Sequence, residues 1–289
     1  MIRGAVLAAT LVFSTSDARA LQARDVADLT KELAAADPAT RTRAACDLRD
    51  LGDAASPAIG ALVRLLADGA PVDPSVCKLQ WWRGNDQLTS PGEQAASALV
   101  AIGSRAFDAV FGALKSGAWI ARRNAAWALG ALDDRRAVPG LISTLKDAEA
   151  PVRSQSAWAL GAIDDRAAVQ ALVAALKDPD EGVRSQAAWA LGAIDDSSAV
   201  PALLQALQDS SARVRSQVAW ALGAIDDARA VDGLIEALRD SSSTVRKQAA
   251  WALGAIGDPR AVPGLLPALK DSDAEVRRHA AWAIGAIGR

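Results

Sequence analysis

A tryptophan recurs every 31 residues through the second half of this chain, and no other feature constrains the fold as strongly. Trp127, Trp158, Trp189, Trp220, Trp251 and Trp282 keep that step, as do Gly130, Gly161, Gly192, Gly223, Gly254 and Gly285. So do Arg122, Arg153, Arg184, Arg215, Arg246 and Arg277. A fixed period between 20 and 50 residues marks a stacked array, whose units bury their apolar faces only against their neighbours. The core of such an array grows linearly with repeat number, so the length of 289 residues sets a repeat count rather than a number of compact domains.

One unit reads as two helices. The first spans about 199–208, with Val200, Leu203, Leu204 and Leu207 at helical spacing and Pro201 in its first turn, where a missing N–H costs nothing. The chain breaks at Asp209, Ser210 and Ser211, and Ser211 or Asp209 is the expected cap of the second helix. In the preceding unit Val183, Ala187, Ala190, Leu191 and Ile194 of the second helix fall within roughly 100° of arc, the core stripe.

The run from Asp178 through Val183, Arg184, Ala190, Leu191, Gly192, Ala193 and Ile194 to Asp196, Ala199, Val200 and Pro201 resembles HEAT repeats, most closely the phycobilisome-lyase HEAT-like subclass. The resemblance is strong over 105–289 and loose over 25–104. It implies an all-α, right-handed solenoid of about eight helix pairs with the second helix on the concave side. It also implies a structural ladder along the inter-helix loops. Here the ladder would join Asp147, Asp178, Asp209, Asp240 and Asp271 with Arg153, Arg184, Arg215, Arg246 and Arg277, as exposed pairs worth ~0–1 kcal/mol each.

The tryptophan column departs from that pattern. Trp189 projects about 240° from Val183, well off the core stripe, among the small residues Ser185, Gly192 and Ala193. A large ring there is expected to be partly exposed. Either each indole lies flat on the neighbouring helix over Gly192 or Ala188, or the row is an aromatic floor for an extended partner. The segment 189–194 also resembles the groove helix of importin-alpha armadillo repeats. There an Asn four residues after the Trp clamps the bound backbone, but here that column is Ala131, Ala162, Ala193, Ala224, Ala255 and Ala286.

Asp133, Asp164, Asp195 and Asp226 follow these helices, each ahead of a second Asp. The second Asp is ordinary turn or capping chemistry. The first stands where the family has Gly, as at Gly257, and puts negative charge at a helix C-terminus. It is either an acidic rim beside the tryptophans or a substitution copied by duplication.

The regular array is preceded by two degenerate repeats over 21–104, interrupted by an insertion at 68–90 that carries Cys77, Trp81 and Trp82. Aligning Arg41 on Arg184 puts Cys46 in the tryptophan column. Residues 1–20 read as a secretory signal peptide: a basic start, an apolar run from Gly4 to Phe13, and Ala18-Arg19-Ala20 as the cleavage site. Export, periplasmic or extracellular, is therefore expected, with a disulfide between Cys46 and Cys77, the chain's two cysteines. No other segment reads as a membrane span.

Without the leader the chain keeps 30 basic and 33 acidic residues, which gives it no bulk attraction for nucleic acid. His279 is the one histidine, so a His-rich metal centre within this chain is excluded. Deoxyhypusine hydroxylases resemble this chain in fold but need several His-Glu pairs on the groove helices, where this chain has Gln-Ala and Trp-Ala. The expectation is a non-enzymatic scaffold without cofactor or metal, holding a protein or extended peptide, cationic or proline-containing, in its tryptophan-lined groove. The alternatives are an enzyme or enzyme subunit of the lyase or hydroxylase kind and a structural or regulatory module.

Overall fold

The computed structural model describes residues 25–77 and 89–288. The expected leader, with Trp81 and Trp82, lies outside the described residues. These are helical, apart from loops and one isolated bridge between Val72 and Thr89. Helix α1 (Val26–Glu32) pairs with α2 (Pro38–Leu51), and α3 (Ile59–Leu65) with α4 (Pro91–Ile102). The regular pairs follow: α5 (Phe107–Ala113) with α6 (Trp119–Ala131), α7 (Val138–Thr144) with α8 (Ala150–Ile163), and α9 (Val169–Ala175) with α10 (Glu181–Ile194). The last are α11 (Val200–Ala206) with α12 (Ala212–Ile225), α13 (Val231–Ala237) with α14 (Ser243–Ile256), and α15 (Val262–Ala268) with α16 (Ala274–Ile287). The all-α solenoid is thus what the chain forms.

The helices fall into two compact units. One holds α1–α4; the other holds α5–α16 together with residues 66–68. In the second unit the long helices α6, α8, α10, α12, α14 and α16 pack on one another along their lengths, with the short helices behind them. The closely packed long row is the inner row. Val183, Ala187, Ala190, Leu191 and Ile194 are all buried, so the core stripe lies where the helical spacing puts it.

Local details differ from the sequence reading. The first helix of the unit does not run 199–208. It opens with a 3₁₀ turn, Ser197–Ala199, continues as α11 and stops at Ala206. Asp196 accepts the Ser198 N–H and starts that turn, and Pro201 follows in the first turn of α11. Ser211 stands at the N-cap of α12, but its side chain makes no capping bond. Asp209 instead accepts the Ser211 N–H at 2.8 Å and shapes the loop, because its carboxylate is already held by Arg184. In α10 the cap is Asp180, which accepts the Val183 N–H. One segment beyond the leader, residues 91–113, is long and apolar enough to cross a membrane by composition alone. Here it is the two helices α4 and α5, separated by a 3₁₀ turn that begins at Gly103 (φ 81°), with much of their surface buried.

Candidate functional site

The inner row of the second unit is built from one repeated junction. Gly192 of α10 lies so close to α12 that an added Cβ would stand 2.8 Å from the Ala221 Cα and 2.8 Å from the Trp220 Cζ3. The same contact recurs at Gly130, Gly161, Gly223 and Gly254, each against the next repeat's Ala and Trp. The glycine is required because the next backbone and the six-membered corner of the next indole occupy the space a side chain would take. Trp127, Trp158, Trp189, Trp220 and Trp251 are half-buried, and Trp282 is 44 % exposed. From Trp158 to Trp282 the ring is therefore part of the packing, while part of the residue stays at the surface. The indole Nε1, at the opposite end from Cζ3, makes no hydrogen bond within the described residues.

A further column, the one that ends in His279, gains meaning from this geometry. Gln155, Gln186, Gln217 and Gln248 lie three residues before each Trp, are half-buried, and have carboxamides that bond to nothing within the described residues. With Ser185, Ser216, Arg213 and Thr244, Gln186 and Gln217 line an open hollow of about 410 Å³ on the inner row. The signal available in sequence was the fixed Gln-to-Trp spacing; its importance required knowing that the amides are left unpaired. At the two ends the column is used internally: Asn124 donates to the Leu66 carbonyl at 2.9 Å, and His279 Nδ1 meets the Glu275 carbonyl at 2.8 Å.

The aspartate pairs divide as their positions suggest. Asp134, Asp165, Asp196 and Asp227 each accept a backbone N–H at the following turn. Asp133, Asp164, Asp195 and Asp226 are exposed and adopt the left-handed conformation, φ 52–55°. None of their carboxylates has a hydrogen bond or ion pair within the described residues. Gly257 holds the same place with φ 70°.

The Arg–Asp ladder forms, with a register and burial that correct the expectation of exposed pairs. Each Arg reaches the next repeat: Arg122 to Asp147, Arg153 to Asp178, Arg184 to Asp209, Arg215 to Asp240 and Arg246 to Asp271, at 2.6–2.7 Å. The side chains are only 9–16 % exposed. The contact is two-pronged, and Arg184 also donates to the carbonyls of Asp178 and Pro179, so one guanidinium ties two loops. Burial alone would raise the Asp178 and Asp209 carboxyls, but the arginine and backbone hydrogen bonds hold both below the ordinary carboxylate range. Hydrogen bonds from Arg122, Arg215 and Arg246 do the same for Asp147, Asp240 and Asp271. Arg277, the last of the column, bonds among the described residues only to the carbonyls of its own loop, Asp271 and Ser272.

In the first unit Cys46 and Cys77 are joined, Cα to Cα 6.1 Å. Among the described residues no three of His, Cys, Asp and Glu converge as a metal-binding group.

The fold has known counterparts. It is similar to the crystal structure of YibA from Escherichia coli, with a TM-score of 0.61 and 20 % identity over 96 % of this chain and 98 % of that one. It is also similar to the CpcE–CpcF complex of phycocyanin lyase from Nostoc, with a TM-score of 0.45 and 20 % identity over 92 % and 94 % of the two chains. Human deoxyhypusine hydroxylase gives a TM-score of 0.35 and 22 % identity over 81 % and 96 %. At 20 % identity the likeness to YibA speaks to fold alone. No curated protein matches the sequence. The family model for HEAT repeats matches in overlapping copies over residues 108–190, 138–212, 169–243 and 231–289, more than half of the chain. With the stacked helix pairs and the inter-repeat ladder already described, that match makes this chain a member of the HEAT-repeat family.

Proposed function

We propose that the chain is a non-enzymatic scaffold, exported from the cytoplasm, that holds an extended segment of another protein along the inner row of its second unit. The observation that carries this reading is the double column of half-buried Trp side chains and unpaired Gln carboxamides, repeated at one repeat's spacing. A half-buried amide without a protein partner can exchange its bonds to water for bonds to a ligand, and partly exposed Trp side chains are among the commonest anchors of protein interfaces. The exposed Asp133, Asp164, Asp195 and Asp226 add negative charge at the C-terminal ends of the same helices, which favours a cationic segment. The single histidine supports the non-enzymatic part of the reading. The A-x-A site after the apolar leader and the Cys46–Cys77 bond support export.

The test is site-specific photo-cross-linking in the producing cell. A photo-reactive residue at Gln186 or Gln217 should capture the same protein, identified by mass spectrometry, while one at the outer-helix residue Gln205 should not. Capture that is equal at all three positions, or absent from the inner two, overturns the reading. Fractionation of the same cells checks export: the mature chain should begin near Leu21 and appear outside the cytoplasm.

A further inference from the structure

We propose that the segment held on the inner row is in the polyproline II conformation and advances three residues per repeat. This rests on the groove reading above and adds the conformation and register of the occupant.

Spacing is the first argument. The Cβ that Gly192 lacks would sit 2.8 Å from the Ala221 Cα. Allowing ~1.5 Å for the missing bond and ~2.3 Å for each helix radius puts the two axes about 8–9 Å apart, the close end of helix packing. The corresponding gap is 2.7 Å at Gly130, Gly161, Gly223 and Gly254, so the spacing is constant along the row. A polyproline II helix repeats every three residues, or about 9.3 Å. A β-strand returns to the same face every two residues, roughly 6.7 Å, and drifts by about 1.3–2.3 Å at each repeat, against about 0.3–1.3 Å for polyproline II. An α-helix, with a pitch of about 5.4 Å, keeps no register either. Of the three, the three-residue turn stays closest to the repeat and presents an equivalent group to successive Trp–Gln pairs with the least drift.

Chemistry is the second. A polyproline II segment has no internal hydrogen bonds, so its carbonyls are all available. The unpaired indole N–H is a donor only, and the unpaired carboxamide gives and takes. Partly exposed indoles suit proline rings and aliphatic stems, as in other aromatic-lined grooves that take such segments. One residue of each three then lies on the Trp, and another faces the rim of Asp164, Asp195 and Asp226. The four unpaired carboxamides, Gln155 to Gln248, set the length of the site at about twelve residues, three for each.

The experiment uses two synthetic fifteen-residue peptides of equal charge, (Pro-Pro-Lys)5 and (Gly-Gly-Lys)5, titrated against the full mature chain by intrinsic Trp fluorescence at physiological salt. The proline peptide should bind at least about ten-fold more tightly, a difference of ~1.4 kcal/mol. The Q186A/Q217A double variant should lose that preference while its melt stays unchanged. Equal affinity for the two peptides overturns the conformation and register but leaves the groove reading standing. If neither peptide binds, this proposal fails, and the cross-links from Gln186 and Gln217 decide the groove reading separately. A preference that survives in the double variant also overturns it, because binding would then lie elsewhere.

Discussion

The two units place the same columns at the same helical positions and use them differently. In α12 the tryptophan column is Trp220, whose ring corner fills the space over Gly192. In α2 the same column is Cys46, bonded to Cys77 from the insertion. In α10 the column three residues earlier is Gln186, half-buried and unpaired. In α4 it is Gln94, which is buried, donates to Thr89 Oγ1 at 2.9 Å and has its other amide atom 3.4 Å from the Arg49 Nη1. The insertion therefore consumes in the first unit what the second leaves available. A column's residue type is shared by repetition, but its role depends on whether the neighbouring chain satisfies it.

The largest expected effect tests the tryptophan junction. Replacing Trp189 and Trp220 together by Ala should cost about 2–4 kcal/mol each, somewhat below the figure for fully buried rings because each residue is already partly exposed. In a solenoid that loss appears as local opening of the middle repeats, so hydrogen exchange should rise in α8–α12 while α1–α4 keep their protection. An unchanged melt would show that the rings carry no packing and would erase the difference between the units. Adding a side chain from the other partner, as in Gly192→Ala, should also destabilise, although Gly→Ala within a helix ordinarily stabilises.

The disulfide comes next and should act on the other unit. The bond spans 31 residues of sequence, and closing a loop of that size stabilises by ~3–4 kcal/mol in the chain-entropy model. Reduction should lower the stability of α1–α4 and leave the exchange protection of α10–α14 unaltered. Two thiols free to react in denatured, unreduced protein would remove this side of the comparison.

The ladder is third. Arg184→Met leaves the Asp209 carboxylate partly buried without its guanidinium and should cost about 2–3 kcal/mol, less than for a fully buried pair. The penalty depends on pH with a definite sign. The ladder carboxyls are held below their ordinary value, so their contribution is complete above about pH 4 and declines as the pH falls through the lowered values. In acid the variant and the parent should therefore converge.

Much of this was legible in the sequence because repetition carries it. Six copies of Trp, Gly and Arg at one step define the unit, and the core stripe from Val183 to Ile194 follows from helical spacing alone. The ladder's pairing was less legible, since sequence gives Arg184 two neighbouring aspartates, and the choice of Asp209 over Asp178 depends on how loops stack. Its burial was misjudged for the same reason: a residue that is polar and near a loop looks exposed until the next repeat covers it. The Trp column could be read only as an alternative, because each residue turns out both to pack over a glycine of the preceding repeat and to stay partly exposed. The Gln column was visible but silent, since an unpaired amide is defined by what does not reach it.

The smallest effect separates strain from use at the exposed aspartates. Asp195 sits at φ 53° at the end of α10, where Gly257 does the same work for α14 without a Cβ. Left-handed geometry disfavours a side chain by about 1 kcal/mol, though Asp tolerates it better than most, and the negative charge opposes the helix dipole by ~0.3–1 kcal/mol. Against this, Gly gains conformational freedom in the unfolded chain worth ~0.5–1 kcal/mol. Asp195→Gly should therefore raise stability by at most about 1 kcal/mol, and the four changes at 133, 164, 195 and 226 should add, because the sites lie in separate repeats. The first unit offers a control: Gly52 and Gly103 already have positive φ at the ends of α2 and α4, so Gly52→Asp should destabilise there. If the fourfold Gly variant melts higher yet loses its affinity for (Pro-Pro-Lys)5, the aspartates are kept for their charge at the expense of stability. If it melts higher and binds as before, they are substitutions copied with the repeat, and the rim has no part in recognition.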